Sequence, residues 1–568
     1  MKMSEILKLL SSQYKHLPGR SFETVEKRVI TSATMLKNDT FSFQALYRAA
    51  CEPKNHRASV YIETDLPVKA YKVEYVAVQN TYAKKESAEF ESTKPGIFPD
   101  MLNPRPVKPE IFVTGWAKNS CYEKTDATLT SIVDDFRSVW FTINPDSKKL
   151  TPGEYKIKVV LAELKKYEIM AEETLTLKVI DAELPKQDIY YTNWFHIDCV
   201  CDMFGVKPYS NAFYKVFDEY IKNMTAHRQN TLLLPAFTPA LDTEVSDERM
   251  NVQLVEIEKE GDGWRFGFDK MRRFVRRAKK CGVEIFEHCH LFSQWGATNA
   301  PNIYDKEGKR IFGYDTKASG EEYTKFIRSY LTEFAKFAKE EKIEDKILWH
   351  ISDEPVENQM ESYRAARNTV ADILSECVVS DAMFDTSFYE AGLVDQPILS
   401  IGSLETYDEQ KCPNIAVYYT GGETGTSNRK ICNTSATTRV LGLILYKYKA
   451  KGFLHWAYNF YYDISSRGFS DPKINPCAYR LHPGLTFLAY PINQKGVSTV
   501  YPSIREELMR EAMDDLRALK LLESKIGREK TLAICEEKLG TITAYTLPEG
   551  EALRELREII NASIEENL

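Results

Sequence analysis

The fold is decided by EYTKFIRSYLTEFAKF (Glu322–Phe337) followed by ILWHISDEP (Ile347–Pro355). In the first stretch Tyr323, Phe326, Ile327, Tyr330, Phe334 and Phe337 recur every three or four residues, so they share one face of a helix. In the second, a short apolar run with no helical period leads into polar residues and a proline, the pattern of a buried strand ended by a turn. An amphipathic helix feeding a buried strand is the repeating unit of a parallel sheet. The same alternation extends both ways from this point. It predicts eight strands, at Asn193–Cys199, Thr231–Phe237, Val283–Leu291, Ile347–Ser352, Val378–Phe384, Pro397–Ile401, Ile415–Tyr419 and Gly452–Tyr458. Eight such units fit a (β/α)8 TIM-like barrel. The alternative is a doubly wound open sheet, but no G-x-G-x-x-G follows a strand to favour it.

Upstream the period is two. Leu175, Leu177 and Val179 alternate with Thr174, Thr176 and Lys178, and Tyr155-Lys-Ile-Lys-Val does the same after the turn signal Thr151-Pro-Gly. An N-terminal β-sandwich is expected over residues 1–184, because the acidic, proline-containing stretch Asp181–Asp188 has neither period. The catalytic barrel is then expected over 185–526. A short C-terminal helical or β cap follows over 527–568, with one amphipathic helix showing Leu553, Leu556, Ile559 and Ile560.

The 568 residues are 43% hydrophobic and 28% charged, a multidomain globular composition that excludes extended disorder. Against 82 acidic residues stand 75 basic ones, a net charge of -7, so no global positive field attracts nucleic acid. The eleven cysteines are odd in number and scattered, which suits free thiols in a reducing compartment. Glu5 and Lys8 interrupt the only apolar stretch at the start, and no run is long enough to span a membrane. A cytoplasmic location without membrane insertion is expected; the oligomeric state is not defined by the sequence.

In a barrel of this type, reactive groups lie at the C-terminal ends of the strands. The fourth strand runs into Ser352-Asp353-Glu354-Pro355. Adjacent carboxyls split their pKa values, which supports acid–base chemistry; equally, Asp353 could cap the next helix with Glu354 in its first turn. The eighth strand ends in His455-Trp-Ala-Tyr-Asn-Phe-Tyr-Tyr-Asp463, a density of aromatics and amides suited to a sugar: ring faces stack on a pyranose and amides bind its hydroxyls. Trp456, Asn459 and Tyr461 are expected there, Trp194, His196 and Asp198 on one face of the first strand, and Tyr418 and Tyr419 on the seventh. His288-Cys-His290 at the end of the third strand invites a zinc reading. A catalytic zinc needs a third protein ligand and no H-E-x-x-H is present, so hydrogen bonding is expected and no metal or other cofactor.

Four stretches together carry a family resemblance: WHISDEPVE (349–357), GFLHWAYNFY (452–461), FLAYP (487–491) and SIREELMREAMDDL (503–516). They look like glycoside hydrolase family 123, the β-N-acetylgalactosaminidases, whose barrel is joined to a β-sandwich. The last stretch resembles a pattern SIRxExLRxGxEDY of a wider barrel superfamily, from which this chain departs at Ala512, where Gly is usual, and at Leu516, where Tyr is usual. The Gly-Asp-Gly usual before the FLAYP-like strand is also missing, replaced by Gly484-Leu-Thr. The resemblance implies an exo-acting, retaining hydrolase that releases terminal β-linked N-acetylgalactosamine from oligosaccharides or glycolipid-derived glycans. It implies substrate-assisted catalysis, in which the 2-acetamido oxygen attacks C1, Asp353 orients the acetamido N–H and stabilises the oxazolinium, and Glu354 serves as acid and then base. Tyr419 is then expected to donate to the acetamido oxygen and His290 and Asp198 to bind hydroxyls, with Asp198, His288, His290 and Asn459 as possible readers of the axial C4 hydroxyl. A non-catalytic or differently specific carbohydrate-binding protein is the alternative.

Overall fold

The computed structural model describes residues 6–568 except 21, 27, 49–56, 106–113, 116–135, 164–168, 240–248, 464, 465, 467, 479 and 495. The protein is mixed α/β and multidomain, with a β-rich N-terminal region. There the strands form two five-stranded sheets. One runs in the order Ile6–Ser11, Phe41–Arg48, Arg137–Ile143, Val68–Val78, Gly96–Arg105, and the other in the order Ser32–Leu36, Ile169–Ile180, Gly153–Glu163, Arg57–Glu63, Thr114–Gly115. Leu175, Leu177 and Val179 are buried with Phe43, Val139 and Phe141 of the opposite sheet, so the period-two residues fill a core between the sheets. Residues 181–189 then cross to the second region without helix or strand.

Seven of the eight expected strands are present in shorter form, as Thr231–Leu234, Ile285–His288, Ile347–Trp349, a broken fifth (Val378–Val379 and Ala382–Met383), Ile398–Ser400, Ala416–Tyr418 and Gly452–His455, and the first is displaced to Tyr190–Asn193. All neighbours that pair do so in parallel. Two hydrogen-bonded arcs result, one from the second strand to the first half of the fifth, the other from the second half of the fifth through the eighth to the first. Between the first and second strands side chains replace a ladder: Asn230 Oδ1 accepts from Tyr191 N (2.8 Å) and Gln229 Nε2 donates to Asn193 O (2.9 Å).

The first strand is a correction, since it lies at Tyr190–Asn193 and a helix occupies Ile197–Phe204. Trp194, His196 and Asp198 therefore do not alternate along a strand. The helix expected around Glu322–Phe337 spans Glu321–Glu341, with all six aromatic and aliphatic positions of its stripe buried. At the C-terminus there are two helices after the long Ile504–Ile526, namely Arg528–Leu539 and Ala552–Glu566. Leu553, Leu556 and Ile560 of the last are buried, but Ile559 is 40% exposed and not part of its inward face.

The departure at Ala512 has a structural answer. Helix Leu441–Lys447 crosses the long helix so closely that a Cβ on Gly442 would lie 1.9 Å from the Ala512 carbonyl oxygen. The glycine that permits close helix packing is on the partner helix. Among the described residues nine cysteines are free thiols, seven of them buried, while Cys51 and Cys121 lie outside the described residues. No described helix is long and apolar enough to cross a membrane.

Candidate active site

The chain leaves the fourth strand at Trp349 and enters a turn tied on both sides. His350 O and Ile351 O accept from Leu291 N (3.0 Å) and Phe292 N (3.1 Å), and Asp353 O accepts from Trp295 N (2.8 Å). Ser352 Oγ donates to Ser293 O (2.8 Å) and accepts from Gly296 N (3.3 Å). Helical structure starts only at Glu357–Gln359, where Gln359 Oε1 accepts from Val356 N (3.0 Å), so Asp353 and Glu354 do not form the helix cap. Both are half-buried, and Glu354 has φ +42°, a left-handed conformation that a residue with a side chain adopts at a cost of about 1–3 kcal/mol.

Glu354 Oε1 accepts from Tyr418 Oη at 2.6 Å. Burial pushes the Glu354 pKa above the ordinary carboxylate value; the Tyr418 hydrogen bond opposes this and the nearby Glu423 carboxylate adds to it. Burial also raises the Tyr418 phenol, reinforced by Glu354, so this group donates and does not ionise. Glu423 is itself fixed by Ser400 Oγ (2.8 Å), Thr420 N (3.0 Å) and Thr420 Oγ1 (3.2 Å), at the ends of the sixth and seventh strands.

Behind the turn lies a buried polar row. His350 Nε2 faces Glu287 Oε1 (3.2 Å) and its Nδ1 faces Asp381 Oδ1 (3.2 Å). Burial opposes protonation of His350, but the hydrogen bonds and charges of Asp381 and Glu287 prevail and raise its pKa to about 10. Glu287 also accepts from Thr192 Oγ1 (2.5 Å) and Trp194 Nε1 (3.3 Å). His290 stacks on His350 with ring centroids 4.8 Å apart and 28° between planes, and Trp194 meets it edge-on. Among the described residues His290, His350 and Asp381 are the one group of ligand types close enough to share a cation. Both ring nitrogens of His350 already face carboxylates, and stacked imidazoles direct their in-plane lone pairs side by side, so these groups suit hydrogen bonding better than a common ion.

Several expected site residues are elsewhere. His288 points the other way from His290, with Nε2 2.7 Å from Tyr330 Oη and its ring stacked on Trp349, because the ladder ends at His288 and alternation ends with it. Burial lowers its pKa to about 3. Tyr419 is buried with its hydroxyl 3.7 Å from Met509 Sδ, and its neighbour Tyr418 is the one that reaches Glu354. Tyr461 is core, its hydroxyl 2.9 Å from Tyr220 Oη and donating to Ala489 O at 3.2 Å. Asn459 spends its amide on the His196 backbone, accepting from N (2.8 Å) and donating to O (3.0 Å). Asp198 holds Arg249 in a buried two-point ion pair (2.8 and 2.9 Å). Trp456 is half-buried, stacked on His455 at 5.9 Å.

Asp381, Glu287, Glu423 and Trp295 were not expected. A lone acid inside the apolar run Val378–Phe384 was the available signal for Asp381; Val283–Leu291 carries two acids, Glu284 and Glu287, and nothing local singles out the second. Trp295 is 48% exposed at φ +57°, and its N–H is the donor to Asp353 O. Gly296 beside it has no room for a Cβ, which would lie 2.9 Å from Gln359, so the loop that carries the indole is locked to the turn.

A raised carboxyl beside a second carboxyl at the C-terminal end of a parallel strand, with an exposed tryptophan on the loop whose backbone bonds to Asp353, suits a hydrolase acting on sugars. The chain belongs to glycoside hydrolase family 123: the model of that family's catalytic domain matches residues 194–522. Among solved structures it resembles a family 123 glycoside hydrolase from Clostridium perfringens, described in connection with glycolipid glycan hydrolysis, at 12% identity and TM-score 0.72 over 99% of this chain and 97% of that one. Weaker likenesses are a putative glycoside hydrolase from Bacteroides vulgatus (11% identity, TM-score 0.30, 79% and 77% covered) and a putative β-galactosidase from Bacteroides fragilis (9%, 0.29, 80% and 57%). No curated protein matches the chain.

Proposed function

We propose that this glycosidase is an exo-acting, retaining β-N-acetylgalactosaminidase working by substrate-assisted catalysis, on a β-sandwich joined to a closed (β/α)8 barrel. One observation carries the reading: Glu354 is a half-buried carboxyl with a raised pKa, held by Tyr418 and directly next to Asp353. Glu354 protonates the leaving oxygen and then activates water, and Tyr418 stabilises the carboxylate formed when the proton leaves. Asp353 orients the acetamido N–H and balances the oxazolinium charge. Two adjacent carboxyls cannot flank a sugar from opposite faces as an ordinary retaining pair does, and a nucleophile supplied by the substrate removes that need.

Trp456 remains the platform candidate under the sugar ring, and the exposed Trp295 supplies a second face beside Asp353. Of the four residues considered for the axial hydroxyl, His288 and Asn459 are engaged elsewhere and Asp198 is paired with Arg249. His290 Nδ1 is buried with no partner among the described residues, which favours it as the hydroxyl reader. The test is hydrolysis of aryl β-GalNAc against aryl β-GlcNAc and aryl β-galactoside. Preferential turnover of the first supports the reading. Binding of GalNAc with no turnover of any of them assigns the protein to carbohydrate binding instead.

A further inference from the structure

The fifth strand is broken at Ser380-Asp381, between Val379, which pairs with Trp349 of the fourth strand, and Ala382, which pairs with Ile398 of the sixth. Beyond Trp349 the fourth strand's backbone finds no further ladder on that side. Its next donors, Ile351 N (3.1 Å to both oxygens) and Ser352 N (3.2 Å), bond to the Asp381 carboxylate. The same carboxylate faces His350 Nδ1 and accepts from Tyr363 Oη at 2.5 Å. One fully buried side chain thus stands in for a strand and gathers four donors from residues 350–352 and the following helix. The next two residues are Asp353 and Glu354, the latter in a strained conformation that persists only if its flanks are fixed.

We propose that Asp381 is a positioning residue for the catalytic turn, working with the Glu287–His350 pair behind it to set where Glu354 delivers its proton. This rests on the roles given above to Asp353 and Glu354. A carboxylate suits the place because every neighbour presents a donor, whereas an amide would turn an NH2 group toward N–H and O–H groups. Asp381→Asn keeps the volume and loosens the turn. Small displacements of an acid are felt where proton transfer is needed most.

The experiment measures kcat and KM of wild type, Asp381→Asn and Tyr363→Phe on two β-GalNAc substrates, one with a dinitrophenyl leaving group and one with an alkyl leaving group, alongside thermal unfolding. The expected loss in kcat for Asp381→Asn is at least ten times larger on the alkyl than on the dinitrophenyl substrate, with KM within about twofold. Tyr363→Phe, which removes one donor and spares the carboxylate, shows the same inequality in milder form and keeps the test open if Asp381→Asn does not fold. A merely unstable protein loses active molecules and so loses both substrates equally, and that equality in the folded variants overturns the proposal. Wild-type activity abolished by a chelator and restored by zinc also overturns it, making Asp381 a ligand. If wild type turns over neither β-GalNAc substrate, the functional reading fails and takes this proposal with it; turnover with equal losses sinks this proposal alone.

Discussion

Tyr418→Phe tests the acid function proposed for Glu354 more cleanly than removal of the glutamate itself. The phenol donates to Glu354 Oε1 at 2.6 Å and is 3% exposed, so water does not replace it freely once the hydroxyl is gone. In the proposed mechanism the bond is to a carboxylic acid in the ground state and to a developing carboxylate in the transition state, which it holds more strongly. A hydrogen bond to a charged group contributes about 1.5–3 kcal/mol, and ~1.4 kcal/mol of barrier is tenfold in rate, so kcat on an alkyl β-GalNAc falls about 10- to 150-fold. An activated dinitrophenyl substrate needs little protonation and loses far less. The pH profile moves in a stated direction as well. The phenol favours the ionised form of Glu354, so its removal raises that pKa further, and the alkaline limb of kcat/KM, where the acid deprotonates, shifts to higher pH. Steady-state kinetics on the two substrates across pH read both effects. Equal losses on good and poor leaving groups, or an alkaline limb displaced downward, refute the reasoning.

Glu354→Gln should lower kcat on alkyl β-GalNAc about 10²–10⁴-fold while leaving measurable turnover of the dinitrophenyl substrate, and Asp353→Asn should reduce both alike, as a leaving-group series will show. The His350 pKa, raised from 6.5 to about 10, makes its contribution to stability fully present below about pH 6.5 and lost as pH rises through about 10. Melting temperature measured from pH 6 to 10 should therefore fall more steeply for wild type than for His350→Gln, which is less stable at neutral pH. Gly442→Ala forces a Cβ against the Ala512 carbonyl and should cost at least about 1–3 kcal/mol, seen in denaturant unfolding, whereas Ala512→Gly should leave folding intact.

The strand–helix alternation was legible because a buried strand must be apolar throughout and a surface helix must show a stripe. Seven of the eight strands lie within their expected ranges, and Glu322–Phe337 fell on a helix with its stripe buried. Strand ends were not legible. Alternation lasts only while the ladder does, so His288 and His290 part company where pairing stops, and Tyr418 rather than Tyr419 reaches Glu354. The first strand was displaced because Trp194–Cys199 is apolar enough to pass for one, yet the chain turns at His196 into a helix. Asp353 and Glu354 stood out through their adjacency at a strand end. Glu423 and Trp295 come from loops whose path depends on residues far away in the chain, and no local period marks them.

The central claim is that the acetamido group of the substrate is the nucleophile, with Asp353 and Glu354 as its attendants. The most direct measurement is kcat/KM on a series of aryl β-GalNAc substrates whose N-acetyl group carries none, one, two or three fluorines. Each fluorine weakens the carbonyl oxygen as a nucleophile without changing the leaving group. A steep, progressive fall in kcat/KM across the series is expected; a flat dependence would show that the oxygen does not attack C1 and would overturn the substrate-assisted mechanism.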